Sequence, residues 1–392
     1  MSPELISHSP DLKQLLDEGY DVGIRANHLV ISQVPYVNAR REVQYGTLIS
    51  ELTLADDRTT AKPSTHVAHF IGDYPCNRDG SEITAIKHAT GPIRIDEGFV
   101  ANYSFSNKPS DGYKNYHHKM TRYIEIISNP ARVIDPTASA ITFTTSVSHT
   151  DDSVFLYRDT ASSRAGIYAI TRKLELKRVA IVGLGGTGSY VLDLVAKTPI
   201  AEIHLLDGDD LLLHNAFRAP GAASTQELRS KPTKVAYFTE QYSKMRRNIV
   251  PHPYFVDETN VDQLRGMDFV FLCIDAGDAK RLIVEKLEQF GTPFIDVGMG
   301  IYEADGSLAG VVRVTTSTGE HREHLRKRVS LGDGNVNDEY SRNIQIADLN
   351  ALNAALAVIK WKKMFGFYVD LDHEYHSTYT INGNVLTNEE SE

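Results

Sequence analysis

The sequence predicts an α/β fold with a mainly parallel sheet, preceded by an α+β domain. Three observations predict it. Short apolar runs at 179–182, 203–206, 269–274 and 293–297 are separated by helical stretches, as in strands joined by crossover helices. The first run enters the glycine-rich turn Gly183-Leu184-Gly185-Gly186-Thr187-Gly188. The second and third runs end at acids, Asp207 and Asp275, where open α/β sheets place their ligands.

The first strand, the turn and the helix after it make a nucleotide site on physical grounds. Glycines permit a tight turn and close backbone approach, helix-start amides favour negative charge, and a strand-end acid accepts hydrogen bonds from ribose hydroxyls. Dinucleotide, flavin and adenylate binders all use this arrangement, so the turn alone leaves the nucleotide open.

At 392 residues the chain is long enough for two domains, each with its own core. A net charge of −10 argues against broad nucleic-acid binding, which needs a basic face. The two cysteines, Cys76 and Cys273, build neither a disulfide framework nor a four-cysteine zinc site. No apolar run approaches the ~20 residues of a membrane span, and the N-terminus lacks a secretion-signal layout. A cytoplasmic protein is expected.

Residues 1–150 are expected to form the α+β domain. It begins with a short helix near 11–18, and strands follow at 28–34, 44–54 and 66–71. A helix over 113–127 places Met120, Tyr123, Ile124 and Ile127 on one face. Ser128-Asn129-Pro130 should stop it, and 131–147 reads as extended. His66 and His69 lie three apart, which on a strand puts them on opposite faces and disfavours a shared metal. Cys76 reads as a half-buried loop residue, since nothing nearby would lower its pKa.

Residues 151–163 read as a linker, and 164–392 as the second domain. There the loop 210–218 carries Asn215 and Arg218, and a polar stretch with Lys231 and Lys234 leads into a helix over 235–246. Further strands are expected at 254–256 and 311–314, a short helix at 261–264, and a helix at 279–290. Residues 315–343 are polar and expected to be mobile. A long helix, 344–365, shows an apolar stripe at Leu349, Leu352, Leu356 and Ile359. A strand at 376–381 and an acidic tail close the chain.

Two strand-end acids with an asparagine, an arginine and a lysine between them suit a triphosphate, whose outer phosphates need cations. Here the sequence resembles a family. Leu206-Asp207-Gly208-Asp209 followed by His214-Asn215-Ala216-Phe217-Arg218 is similar to the D-x-D…N-x-x-R signature of the ubiquitin-activating-enzyme superfamily, whose bacterial members include ThiF- and MoeB-type adenylyltransferases. The glycine turn resembles their G-x-G-G-x-G, Thr233-Lys234-Val235 their lysine, and Cys273-Ile274-Asp275 their C-x-D, over roughly residues 164–365.

The resemblance implies a Rossmann-like adenylation domain that uses ATP and Mg²⁺. Gly183, Gly185, Gly186 and Gly188 would contact the nucleotide and Asp207 its ribose, while Asp209 and Asn215 shape the pocket. Arg218 and Lys234, with Lys231 as the alternative lysine, would stabilise the phosphates, and Asp275 would hold Mg²⁺. The implied substrate is the C-terminal glycine of a ubiquitin-like or sulfur-carrier protein. A homodimer in which Arg164 reaches the partner's ATP and a ubiquitin-conjugating-type partner are also implied, without nucleic acid or membrane. Sheet signals ahead of helices in 1–150 allow a degenerate ubiquitin-conjugating-type fold there.

The sequence also departs from the family. No cysteine lies in 315–343 to take a thioester; unless Cys76 serves from the other domain, this leaves either release of the adenylate to a partner or a hydroxyl acceptor such as Ser317, Ser330 or Ser341. The zinc-binding CxxC pairs are absent, and Ala219 and Ala276 replace polar residues often found in the family. Arg326, Lys327 and Arg328 would steer an acidic partner if they are free. An NAD-dependent oxidoreductase would use the same turn and Asp207 but leaves Arg218, Lys234 and Asp275 without a task. A non-catalytic scaffold would not need that charged set.

Overall fold

In the computed structural model, residues 5–6, 8–56, 59–143, 153–157, 159, 162, 167–275, 277–331 and 344–391 are described. The chain divides into two compact units, Met1–Tyr168 and Ala169–Glu392. The expected linker falls inside the first of them. Among the described residues no helix is long and apolar enough to cross a membrane.

The first unit has strands β1 (Asp21–Arg25), β2 (His28–Val37), β3 (Val43–Glu51), β4 (Val67–Ile71), β5 (Lys87–Asp96) and β6 (Phe99–Ser106). They form an antiparallel sheet in the order β1-β2-β3-β4-β6-β5, with helices α1 (Pro10–Asp17) and α2 (Tyr116–Ile134). Helix α1 starts on a proline, which needs no amide partner there, and buries Leu12, Leu15 and Leu16. Asp11 is buried with them because it has work to do. Its carboxylate accepts the Tyr116 amide at the start of α2 (2.8 Å) and the Thr60 hydroxyl (2.7 Å).

Helix α2 runs past the expected stop, with Pro130 inside it. A mid-helix proline costs about 3 kcal/mol through the lost hydrogen bond and ring clash. Ala131, one residue on, packs against Val37 and Ala138, an apolar contact that favours continuing the helix. The expected extended run therefore begins as helix, and residues 144–147 of it lie outside the described residues.

The hairpin β5 (Lys87–Asp96) and β6 (Phe99–Ser106) was not expected. Strand β5 is a sheet edge, exposed along most of its length, so it needs no apolar face. The α2 residue Lys119 is fully buried, its ammonium donating to Ser50 Oγ, Thr65 O and Val67 O at 2.7–2.9 Å. Burial pushes its pKa down to about 8.

His69 lies on β4 (Val67–Ile71) with its Nδ1 buried and unpartnered, and no metal-binding group of three or more acid, histidine or cysteine residues occurs among the described residues. Cys76 is buried and its thiol donates to Tyr74 O. Burial raises its pKa, so it is an inert thiol.

The second unit is an eight-stranded sheet in the order β14-β13-β12-β11-β10-β7-β8-β9. Strands β11, β10, β7, β8 and β9 are mutually parallel, and β12, β13 and β14 extend the sheet antiparallel. The expected mainly parallel, Rossmann-like sheet is present. The chain steps outward from β7 (Arg178–Val182) through β8 (Glu202–Leu206) to β9 (Ile249–His252). It then returns to β10 (Phe269–Leu272) on the other side of β7. Between β7 and β10 the strand order reverses, and loops leaving the two strand ends diverge into a crevice.

Several local expectations change. Residues 254–256 follow β9 as a loop. Strand β11 is long (Phe294–Ala304), and β12 (Ser307–Ser317) takes in Thr315, Thr316 and Ser317, all buried rather than mobile. Leu325 anchors the one-turn helix Leu325–Arg328 in the core, while residues 332–343 lie outside the described residues. The acidic tail is ordered as β14 (Val385–Glu389), paired with β13 (His376–Thr380). The long helix Ala347–Met364 buries Asn350, Asn353, Ala354, Ala357, Val358 and Trp361, while Leu352 and Leu356 of the expected stripe pack partly buried against the core. Leu349 is buried, but Ile359 is 42% exposed. The apolar repeat marks only one edge of the inward face, whose centre carries two buried asparagines.

Candidate functional site

At the end of β7 the chain turns on Gly183, whose φ of +88° suits glycine alone; an added Cβ would stand 2.6 Å from Cys273 O. Helix α3 (Gly186–Val195) follows at once. It packs so closely that a Cβ on Gly188 would meet Gly183 O at 1.9 Å and one on Gly186 would meet Asn350 Nδ2 at 2.0 Å. Gly185 is different. Nothing lies within 4 Å of its Cβ position, so its open side faces a cavity of about 350 Å³. Three glycines serve packing, and the fourth leaves room for a ligand.

Asp207, one residue past β8, is buried beside this turn. Its Oδ2 accepts the Leu184 amide of the glycine turn (2.6 Å) and its Oδ1 the Asp209 amide (2.9 Å). The acid thus fixes the turn and its own loop. Helix α4 (Lys234–Tyr242) is capped by Thr233, whose hydroxyl accepts the Ala236 amide, so Lys234 is its first residue. The lysine is buried, with Nζ 2.5 Å from Asp209 Oδ2 and 3.4 Å from both oxygens of Asp207. Lys231, the alternative, is an exposed residue in the left-handed conformation and lines none of the cavities described below.

Arg218 follows the one-turn helix Leu213–Ala216. Asn215 is buried and builds that turn, its Oδ1 accepting the Leu212 amide at 2.8 Å. Asn215 therefore acts on the loop and lines only the side cavity shared by Asp209, Arg218 and Lys234. The guanidinium Nε of Arg218 is buried without a hydrogen-bond partner, a costly state unless an acceptor arrives. Asp275 is exposed, three residues beyond β10. Asp207, Asp209, Arg218, Lys234 and Asp275 line one cavity together with Gly183, Gly185 and Gly186. Cys273 lines it too; its thiol is raised by burial.

Two residues of this site were missed. Asn350 Oδ1 accepts the Thr187 hydroxyl (2.9 Å), and its Nδ2 donates to Arg218 O at 3.4 Å, tying the glycine turn to the arginine loop. Asn353 donates to Gly298 O (3.0 Å), while its Oδ1 is buried and unpartnered beside the same cavity. The available signal was polar residues three apart inside an apolar helix, a spacing that puts them on one face.

A second cavity, about 360 Å³, shares Ile274, Asp275, Val297, Gly298 and Met299 with the first. Lys280, Arg313 and Arg328 line it, as does Ser330. Lys280 Nζ and an Arg313 nitrogen each lie 2.6 Å from fully buried Asp296. Arg313 also donates to Thr315, which contacts His376 Nδ1 at 3.0 Å. Of the basic segment, Arg326 pairs with Glu288 (3.1 Å) and Arg328 with Glu389 and Glu390, so two of its three cations are internally engaged rather than free for a partner. Of the three hydroxyl candidates, Ser317 is buried in β12 and Ser330 lines the second cavity. Ser341 and Arg164 lie outside the described residues, as does Ala276.

Comparison with known proteins assigns the two units differently. Residues 158–333 match the ThiF family, and residues 10–160 match a domain of unknown function, DUF6791. The chain is 25% identical over 167 residues to ubiquitin-like modifier-activating enzyme 5 of Branchiostoma floridae, covering 39% of this chain and 40% of that protein. It is 27% identical over 134 residues to tRNA threonylcarbamoyladenosine dehydratase of Haemophilus influenzae, covering 32% and 49%. The chain thus spans less than half the length of these curated relatives. Among solved structures it is similar to E. coli MccB bound to MccA-N7isoASN (18% identity, TM-score 0.46, 59% of this chain and 69% of that one). It is also similar to PaaA (19%, TM-score 0.44, 57% and 75%).

Proposed function

From the premise that this chain carries a ThiF-family domain, we propose that it is an ATP-dependent adenylyltransferase acting on the C-terminal carboxylate of a ubiquitin-like or sulfur-carrier protein. The observation that carries this reading is the meeting of Arg218, Lys234, Asp207 and Asp275 in one glycine-walled cavity, with a buried Arg218 nitrogen lacking an acceptor.

In this reading Gly185 lets the phosphates approach the start of α3, and Asp207 accepts from the ribose. Arg218 and Lys234 balance the outer phosphates, Lys234 exchanging its contact with Asp209 for phosphate oxygens. Asp275 is a carboxylate open to the same cavity, and Mg²⁺ is characteristically held by one or two carboxylates plus substrate phosphates. The residues present fit that ion, which would supply further charge neutralisation on the departing pyrophosphate.

The carrier carboxylate enters from the adjoining cavity, which meets the first along Ile274, Asp275 and the 297–299 segment and so opens toward the α-phosphorus. One carboxylate oxygen bonds to that phosphorus as its bond to the β-bridging oxygen breaks. Pyrophosphate leaves with the electron pair, and an acyl-adenylate remains. The carboxylate is already ionised, so no proton moves and no side-chain nucleophile is needed. The chain's contribution is alignment and charge neutralisation.

ATP–pyrophosphate exchange with the candidate carrier tests the reading. Exchange in the wild type that Asp275→Ala or Arg218→Ala abolishes is the expected result. NAD binding without exchange would replace the reading with an oxidoreductase, and neither activity would leave a scaffold. A homodimer is part of the same proposal, checked by sedimentation of the full chain.

A further inference from the structure

Phe255 is 65% exposed, yet it does not lie on an open surface. It lines both the glycine-walled cavity and the side cavity of Arg218 and Lys234. Its ring rests on Gly208, where an added Cβ would stand 2.7 Å from Cδ2 and 2.8 Å from Cε2. Only a residue without a side chain leaves room for the ring there. Gly208 directly follows Asp207, so the aromatic face stands one residue from the acid that would hold a ribose.

The backbone beneath Phe255 is braced. Phe255 O accepts the Asn260 side-chain amide (2.9 Å), and Asn260 Oδ1 accepts the Asp257 amide (3.0 Å). On the other side Tyr254 OH contacts His252 Nδ1 and His252 Nε2 contacts His204 Nδ1, each at 3.0 Å. The two imidazoles are stacked, and His204 Nε2 reaches Glu202 at 3.3 Å. An exposed phenylalanine on a mobile loop would lose its ordering on average. Here the loop is tied to strands β8 and β9 through a chain of hydrogen bonds, which pre-organises the ring.

We infer that Phe255 is the base-stacking platform of the cavity: the nucleobase of the bound nucleotide packs on its ring while Asp207 takes the ribose and Arg218 the phosphates. This rests on the nucleotide reading above and adds to it the residue that holds the base. Stacking recognises the π-face that every base has, so the platform supplies affinity for a nucleoside. Discrimination among bases falls to the groups at the cavity's edges.

Equilibrium binding to the full chain separates the parts of the ligand. For Phe255→Ala we expect ATP and AMP affinity to fall about tenfold or more. Inorganic tripolyphosphate, which has no base, binds as to the wild type. Phe255→Trp, which keeps a stacking face, restores ATP affinity, and an unchanged melting temperature excludes loss of fold. ATP affinity unaltered by Phe255→Ala overturns the inference alone. So does equal weakening of ATP and tripolyphosphate, since the ring would then be ordering the cations. A wild type that binds neither ATP nor AMP overturns the nucleotide reading and this inference together.

Discussion

Lys234 and Lys280 are both buried and both paired with aspartate, but the charge around them is balanced differently. Lys280 shares fully buried Asp296 with Arg313, one cation on each carboxylate oxygen, and Thr315 and His376 continue the network inward. Lys234 sits between two acids, of which Asp209 keeps a side chain 55% exposed, and beside Arg218 with its unpartnered nitrogen. The first centre sets a cation 2.6 Å from each oxygen of its acid, a hydrogen-bonded pair with Arg313 and an ion pair with Lys280, and holds β11 to β12. In the proposed function the second exchanges partners, an incoming polyanion offering Lys234 and Arg218 new acceptors while Asp207 keeps its backbone amides. Similar residue types thus make a brace in one place and, in the proposed function, a receptive site in the other.

That contrast can be broken most sharply at Asp296. Asp296→Ala leaves buried Lys280 and half-buried Arg313 uncompensated, and a loss of about 3–5 kcal/mol is expected in a denaturant titration. Asp209→Ala at its mostly exposed partner site should cost under ~1 kcal/mol. Equal losses would erase the distinction between brace and site.

Arg218→Ala should do the reverse, leaving the denaturation midpoint nearly unmoved while pyrophosphate exchange falls about 10²–10³-fold, the scale for removing a charge-stabilising group. Destabilisation comparable to Asp296→Ala would make Arg218 a structural residue.

The brace also carries a pH signature. Burial first, then Arg328 and Arg313, push buried His376 down to about 4. Above its unfolded value near 6.5 the imidazole is neutral in both states and costs nothing. As pH falls below that, the unfolded chain takes up a proton that the folded one refuses until about pH 4. Stability should therefore decline across that window by about 3 kcal/mol from this group. Urea midpoints between pH 7 and 4 should flatten in His376→Gln, and an unchanged slope would refute the assignment.

The smallest effect is expected at Lys231, exposed and outside the cavities. Lys231→Ala should alter exchange by less than about twofold, with melting unchanged, whereas Lys234→Ala should abolish exchange.

The receptive site was largely legible because its signals are local. A glycine turn, acids closing apolar runs and a lysine after a helix cap all declare themselves within a few residues. The brace was not legible. Asp296 lies within the expected strand at 293–297, and its cations come from a helix and from the next strand, so only pairing register joins them. Asn350 and Asn353 were hidden because the leucine repeat beside them already accounts for an inward face of their helix. Strand β5 escaped because an edge strand needs no apolar side, and helix α2 overran Pro130 because packing at Ala131 is a tertiary effect.

In the proposed function the Arg218 centre receives the outer phosphates of a nucleotide. The direct measurement is the affinity of wild type and Arg218→Ala for ATP and for AMP. The substitution should weaken ATP binding at least tenfold and leave AMP binding unchanged. Equal loss for both nucleotides, or no loss for ATP, would contradict it.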